Sequence, residues 1–205
     1  AVSSMLINPW RSVGLPGSTD TELSVDPSKA TDLLAHCPAA GVTPLLDPSG
    51  MARELGVDHV WVKDERNRMG LGSFKALGAA YAIALDAGIR LDYAWNRSRD
   101  ELATTLSDVT YVTASAGNHG LSVAAGARVF GAKAVIVLSH NVGEGFANRL
   151  ARFGATVIRS GFDYEESLAA SRELASSEGW VLLTDSSWPG YTEIPRLVME
   201  GYLVI

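Results

Sequence analysis

Between residues 110 and 184 short apolar runs alternate with stretches of helical period, and no other feature restricts the possible folds of this chain as strongly. Thr110–Thr113, Ala134–Leu138, Thr156–Ile158 and Trp180–Thr184 read as strands, while Gly120–Phe130, Gly143–Phe153 and Tyr164–Ser177 read as helices. A helix between two strands carries the chain back to its starting edge, so the strands run parallel and the crossovers are right-handed. The expected fold class is α/β, built from parallel-sheet βαβ units. Ahead of this region His59–Val62 reads as a buried strand, Ala76–Ala87 as a largely apolar helix and Arg99–Leu102 as part of another. Pro9, Pro16, Pro27 and Pro38 interrupt any long element in residues 1–40, which read as an irregular arm draped over the core or a neighbouring subunit.

With 205 residues, 47% of them apolar and 20% charged, the chain has enough material for a substantial globular core. A net charge of −6 and a pI near 5.2 argue against a nucleic-acid partner, which needs clustered Lys and Arg. No apolar run is long enough to span a bilayer and the amino terminus lacks a secretory pattern, so no membrane partner and a cytoplasmic location are expected. Cys37 is the single cysteine and excludes an internal disulfide; with only His36 beside it, no zinc site is expected.

Two glycine-bearing runs carry the chemistry. Gly70-Leu71-Gly72-Ser73-Phe74-Lys75 sets one lysine at the mouth of the apolar helix. A lysine amine attacks a carbonyl carbon only after shedding its proton, and a partly desolvated helix start favours that, so Lys75 reads as a Schiff-base lysine. The plainer alternative is a solvated surface charge. The dinucleotide pattern G-x-G-x-x-G fails here because Lys75 stands where its last glycine belongs, and no phosphate-loop pattern is present. The second run, Ser115-Ala116-Gly117-Asn118-His119-Gly120, precedes a helix, and its outward N–H groups with the dipole behind them suit a carboxylate. Lys75, this loop and Asp185 each fall near the junction of a strand or turn with the next helix, where ligands collect in open α/β sheets.

Together, Val62-Lys63-Asp64-Glu65, Leu71 to Gly78, the Ser115 to Gly120 loop, Asp185-Ser186-Ser187-Trp188-Pro189-Gly190-Tyr191, and Ile194-Pro195 to Gly201-Tyr202 resemble the diaminopropionate ammonia-lyase group. That group lies within the fold type II pyridoxal-phosphate enzymes, with threonine dehydratase and the tryptophan synthase β chain. The likeness starts near Gly41-Val42-Thr43-Pro44-Leu45 and reaches the last residue, covering about the first half of the family's usual length.

The resemblance implies a truncated tryptophan synthase β-like architecture. Residues 1–40 would form the arm, 41–112 part of a large domain carrying the lysine, 113–190 a small α/β domain, and 191–205 an incomplete return toward the large domain. It implies pyridoxal 5'-phosphate held by Lys75, with Phe74 against the ring and Asn118 on its phenolic oxygen; ordinary core packing is the alternative for Phe74. Ser115, Ala116, Gly117, Asn118 and His119 would bind the substrate α-carboxylate, with His119 either a proton carrier or an orienter of the loop. Asp185 would face the substrate side chain as a catalytic group, the alternative being a turn carboxylate after a strand. The implied reaction is β-elimination from 2,3-diaminopropionate or a related small L-amino acid, giving a 2-keto acid and ammonia, in a homodimer. A threonine or serine dehydratase and a non-catalytic amino-acid or carboxylate-binding module are the alternatives. Ala116 stands where the ammonia-lyase loop has an aspartate that serves as base for the D-isomer, so action on L-isomers is expected. Because the family's phosphate-cradling loop lies beyond the matched part, a weak hold on the cofactor and an apolar sheet edge or face favouring self-association are expected.

Overall fold

Strands in the middle of the chain are buried on both faces in this computed structural model, which describes residues 24–205 and Pro9. In chain order the elements are α1 (Ser28–Ala35), β1 (Leu45–Leu46), α2 (Ser49–Leu55), β2 (Val62–Lys63), α3 (Lys75–Arg90), α4 (Arg99–Leu102), β3 (Thr110–Ala114), α5 (Asn118–Val129), β4 (Lys133–Leu138), α6 (Glu144–Arg152), β5 (Thr156–Arg159), α7 (Tyr164–Glu178), β6 (Val181–Leu182) and α8 (Glu193–Gly201). The main sheet has the order β5-β4-β3-β6 and every pair is parallel. Val112 stands opposite both Val135 and Leu182, and Val137 opposite Ile158.

Side chains alternate across this sheet. Tyr111, Ile136 and Leu138 join α5, Ala147 and Leu150 of α6, and Ile83 of α3 in one apolar cluster. Val112, Ala114, Val135 and Val137 join Leu168, Leu174 and Ala175 of α7 in a second. Helices on both faces are what a parallel sheet requires, and they explain why these strands read as unbroken apolar runs. The Asp163 carboxylate starts α7 by accepting the Glu166 N–H at 2.9 Å, and Gly179 ends it in the left-handed region. Ser98 and Glu101 form a reciprocal capping box on α4.

Behind α5 lies α3, and α8 returns onto α3. That second contact is close because two glycines make it: a Cβ on Gly78 would sit 2.7 Å from Tyr202 and Val198, and one on Gly201 would sit 2.6 Å from the Leu77 carbonyl oxygen. The expected strand at His59–Val62 is corrected here. The pairing strand is Val62–Lys63, antiparallel to Leu45–Leu46, and this two-stranded ribbon is largely exposed, because it pairs only with itself and not with the main sheet. The arm expected over residues 1–40 contains α1, and Pro9 and residues 24–40 are its described part; Pro16 lies outside the described residues. No helix among the described residues is long and apolar enough to cross a membrane.

Candidate active site

The run before Lys75 is held by a buried arginine. Arg68 donates through Nε and Nη2 to both carboxylate oxygens of Glu65 at 2.6 and 2.8 Å, to Thr43 Oγ1 at 2.9 Å and to the Gly41 carbonyl at 2.8 Å. The Asp64 N–H donates to the Pro44 carbonyl at 2.8 Å, so Gly41–Leu45 and Val62–Glu65, far apart in sequence, meet at this point. From there the chain turns sharply through Met69, Gly70 and Gly72, all with positive φ. For Met69 that conformation is strained and persists because its surroundings fix it. Arg149 of α6 closes the turn by donating to the Leu71 carbonyl at 3.2 Å. Lys75 follows as the first residue of α3, its N–H donating to Ser73 Oγ at 3.2 Å.

A cavity of about 360 Å³ opens at the carboxyl ends of β3 and β6. The loop after β3 leads into α5 on one face of the sheet, while β6 arrives from α7 on the other, so the cavity lies at the switch point of the sheet. Phe74, Lys75, Ser115, Ala116, Gly117, Asn118, His119 and Asp185 all line it. Every residue singled out in the sequence as a site residue is therefore brought to one place. Ser73, Ala114 and Tyr164 line it too and were not foreseen. The signal for Tyr164 was its place at the start of the helix following β5, the same carboxyl-end position that marks the other loops.

Lys75 Nζ donates to Asp185 Oδ2 at 2.7 Å, across 110 residues of sequence. Both side chains are partly exposed to the cavity. The ammonium also lies 5.5 Å from the Phe74 ring centre and 5.4 Å from that of Tyr202, the two rings meeting edge to face. Burial by itself pulls the Lys75 pKa down, but Asp185 and Tyr202 outweigh it and the balance is upward. The expectation that a helix start frees this amine is thus corrected: a counter-ion invisible in the local sequence keeps it charged. Asp185 is likewise held below its usual range, its burial outweighed by His119 and Lys75 beside it.

His119 is almost fully buried, and burial lowers its pKa despite the pull of Asp185. Its Nε2 lies 2.9 Å from the Leu183 carbonyl, which only accepts, so Nε2 carries the proton of the neutral ring. Nδ1 then bears a lone pair, has no hydrogen-bond partner and lies 3.9 Å from Asp185 Oδ2. The Ser115 hydroxyl accepts the N–H groups of Gly117 at 3.3 Å and Gly120 at 3.0 Å, fixing the loop from inside. This cap lies outside the usual adjacent position and lets α5 begin at Asn118, two residues before the expected start.

Residues 37–203 match the family described as pyridoxal-phosphate dependent enzyme. Over 174 residues the chain is 33% identical to the diaminopropionate ammonia-lyase of Salmonella typhimurium, covering 82% of this chain and 43% of that protein. It is 31% identical over 150 residues to the biosynthetic L-threonine dehydratase of Pasteurella multocida, covering 73% of this chain and 26% of that one. The crystal structure of the Escherichia coli diaminopropionate ammonia-lyase in complex with D-serine superimposes with a TM-score of 0.80 at 29% identity, over 90% of this chain and 48% of the other. The chain spans less than half the length of these relatives. The parallel α/β architecture expected from the strand and helix pattern is the one these fold type II enzymes share. A match that takes in both the lysine helix and the loop at the head of α5 settles the family, and the chain belongs to the pyridoxal-phosphate dependent enzymes.

Proposed function

We propose that this chain forms the lysine-bearing part of a carbon–nitrogen lyase site for 2,3-diaminopropionate or a related small L-amino acid. The observation that carries the reading is the 2.7 Å pair between Lys75 Nζ and Asp185 Oδ2 in a cavity that also presents the Ser115–His119 loop. A partly buried lysine opening into a cavity beside a partly exposed aromatic ring fits pyridoxal phosphate: Lys75 would hold it, Phe74 would cover one ring face and Asn118 would bond its phenolic oxygen. When bound, the cofactor supplies a ring that stores the electron pair left on the substrate α-carbon.

The chain's own groups do the rest. The N–H groups at the head of α5 bind the substrate carboxylate, with Ser115 keeping the loop in shape. Lys75 Nζ takes the α-proton, which requires it first to give up the proton it shares with Asp185. Asp185 Oδ2, one hydrogen bond from Nζ, receives that proton and passes it to the amine that departs from the β-carbon with its bonding pair. His119 Nδ1, without a hydrogen-bond partner, stands 3.9 Å from that oxygen, within one small shift of taking part in the transfer. Ala116 brings no carboxylate to the cavity, which supports action on L-isomers. A cytoplasmic location and a homodimer accompany this reading; the exposed apolar side chains of Val42, Leu45 and Trp61 support self-association.

Borohydride reduction of the protein mixed with pyridoxal phosphate, followed by peptide mapping, tests the assignment. The pyridoxyl group is expected on Lys75; its appearance instead on Lys29, Lys63 or Lys133 would refute the reading.

A further inference from the structure

Asp185 stands where the sheet no longer holds the backbone. β6 pairs with β3 only through Val181 and Leu182, and the last bond of that ladder is the Leu183 N–H to the Val112 carbonyl at 2.9 Å. Beyond it, two side chains hold the peptide groups. The Tyr191 hydroxyl donates to the Leu182 carbonyl at 2.7 Å and accepts the Thr184 N–H at 3.2 Å. His119 Nε2 donates to the Leu183 carbonyl at 2.9 Å. Three successive residues leading to Asp185 are thus fixed by a phenol and an imidazole.

The phenol is itself fixed. Tyr191 stacks on Trp188 with ring centres 4.4 Å apart and planes within 15°. Their backbones exchange two hydrogen bonds, Trp188 N–H to the Tyr191 carbonyl at 3.2 Å and the reverse at 2.9 Å, across a turn closed by Gly190 at positive φ. The Arg172 guanidinium of α7 lies 4.9 Å from the Trp188 ring centre. A continuous chain of contacts therefore runs from α7 through Trp188 and Tyr191 to the peptide groups before Asp185. Burial raises the Tyr191 pKa to about 12, so the hydroxyl keeps the proton it donates to Leu182.

We propose that Tyr191 is a positioning residue that aims the Asp185 carboxylate at Lys75 by bridging the Leu182 and Thr184 peptide groups. The inference rests on the reading of Lys75 and Asp185 as the reactive pair. Without the bridge, the Leu182 carbonyl and Thr184 N–H must find other partners, and the segment carrying Asp185 gains freedom at the point where a 2.7 Å ion pair needs a fixed direction.

The test uses the full chain without cofactor and reads the Lys75 amine directly. Competitive acetylation with trace acetic anhydride across pH, quantified by mass spectrometry, gives the titration of each lysine, with Lys133 as internal reference. The groups facing the Lys75 amine are Asp185, Tyr202 and, beyond the carboxylate, His119, and all three remain in Tyr191→Phe. Tyr191→Phe keeps the ring on Trp188 and removes only the bridge. Lys75 is expected to acetylate several-fold faster near neutral pH in this variant, in the direction of Asp185→Asn and no further, and the double variant is expected to match Asp185→Asn alone. A tenfold gain corresponds to a fall of about one pKa unit. If Asp185→Asn speeds Lys75 but Tyr191→Phe does not, the positioning role is wrong and the pair stands. If neither changes Lys75, the pair itself is wrong, and the reading beneath the inference falls with it. Should Tyr191→Phe fail to fold, the surface change Arg172→Met, which releases Trp188, replaces it with the same expected direction and the same refuting result.

Discussion

The contact between α3 and α8 sets how Lys75 lies over Tyr202, and Gly201→Ala measures it. The new Cβ would stand 2.6 Å from the Leu77 carbonyl oxygen, 2.9 Å from Tyr81 Cβ and 3.1 Å from Gly78 Cα. Ordinary contact distances are about 3.5–4.0 Å, so the helices must part by roughly 1 Å, and two of the three obstacles are backbone that no rotamer change moves. Overpacking of this kind costs about 1–3 kcal/mol, and the upper part of that range applies. Against it stands a gain of up to about 1 kcal/mol, because alanine loses less backbone freedom than glycine on folding. The net expectation is a loss of about 2 kcal/mol.

At Gly78 the obstacles are the Tyr202 ring and a Val198 methyl at 2.7 Å, side chains that can yield, so Gly78→Ala is expected to cost about 1 kcal/mol. Gly145 in α6 has nothing within 4 Å, so Gly145→Ala keeps only the gain and is expected to stabilise by up to about 1 kcal/mol. Urea unfolding followed by circular dichroism reads all three; with a slope near 2 kcal/mol per molar, Gly201→Ala shifts the midpoint down by about 1 M. A Gly201→Ala midpoint at or above that of the parent would refute close helix packing at this point.

Arg68→Met is expected to cost about 3 kcal/mol, since it leaves the Glu65 carboxylate in a largely buried place without its cation; chemical denaturation checks it, and a loss below about 1 kcal/mol would mean the cluster is not a unit. The Arg68 guanidinium, joined by Thr43, holds Glu65 below its usual pKa of 4.5, so this stabilisation is complete above that value and lost as pH falls through the lower folded-state pKa. Thermal midpoints measured from pH 7 to 3 are expected to show that acid loss in the parent and a shallower one in Arg68→Met. Among the described residues lining the cavity Lys75 is the one Lys or Arg, already paired with Asp185, so a phosphate dianion gains little there; absorbance titration is expected to give a Kd for pyridoxal phosphate above about 1 µM, and submicromolar binding would show a phosphate site elsewhere on the chain.

Most of the main sheet was legible because its strands are buried on both faces and its helices have their own periods. Lys133–Leu138 and Glu144–Arg152 lie within a residue of the positions their patterns predict. What failed did so where long-range partners replaced local ones. Trp180–Thr184 reads as a strand, yet only Val181 and Leu182 pair within it, because the next peptide groups are taken by Tyr191 and His119. His59–Val62 looks like a core strand by composition, but the strand that forms there joins a short ribbon with Leu45–Leu46, and His59 stacks on Trp61 instead. The site residues were legible as types at particular junctions. Their coupling was not, since neither period nor propensity connects Lys75 to a carboxylate 110 residues away.

That coupling follows from the topology. Two crossovers carry the chain from β3 out to β5, and the long return through α7 sets β6 on the other side of β3. Parallel strands end on the same edge, so the loop after β3 and the segment after β6 must be neighbours whatever their sequences. The lysine comes from outside this sheet, on a helix that packs against α5, whose first turn carries His119. One helix contact therefore sets the distance from Lys75 to the loop, and one strand pairing sets the distance from the loop to Asp185. His119 touches the segment before Asp185 through Nε2 and faces its carboxylate through Nδ1, so a shift of α5 is passed to the Asp185 segment as well as to α3. On this geometry, a substitution in the α3–α5 contact should displace the Lys75 helix and the Asp185 segment jointly, whereas one at Tyr191 should displace the Asp185 segment and reach Lys75 only through the lost ion pair.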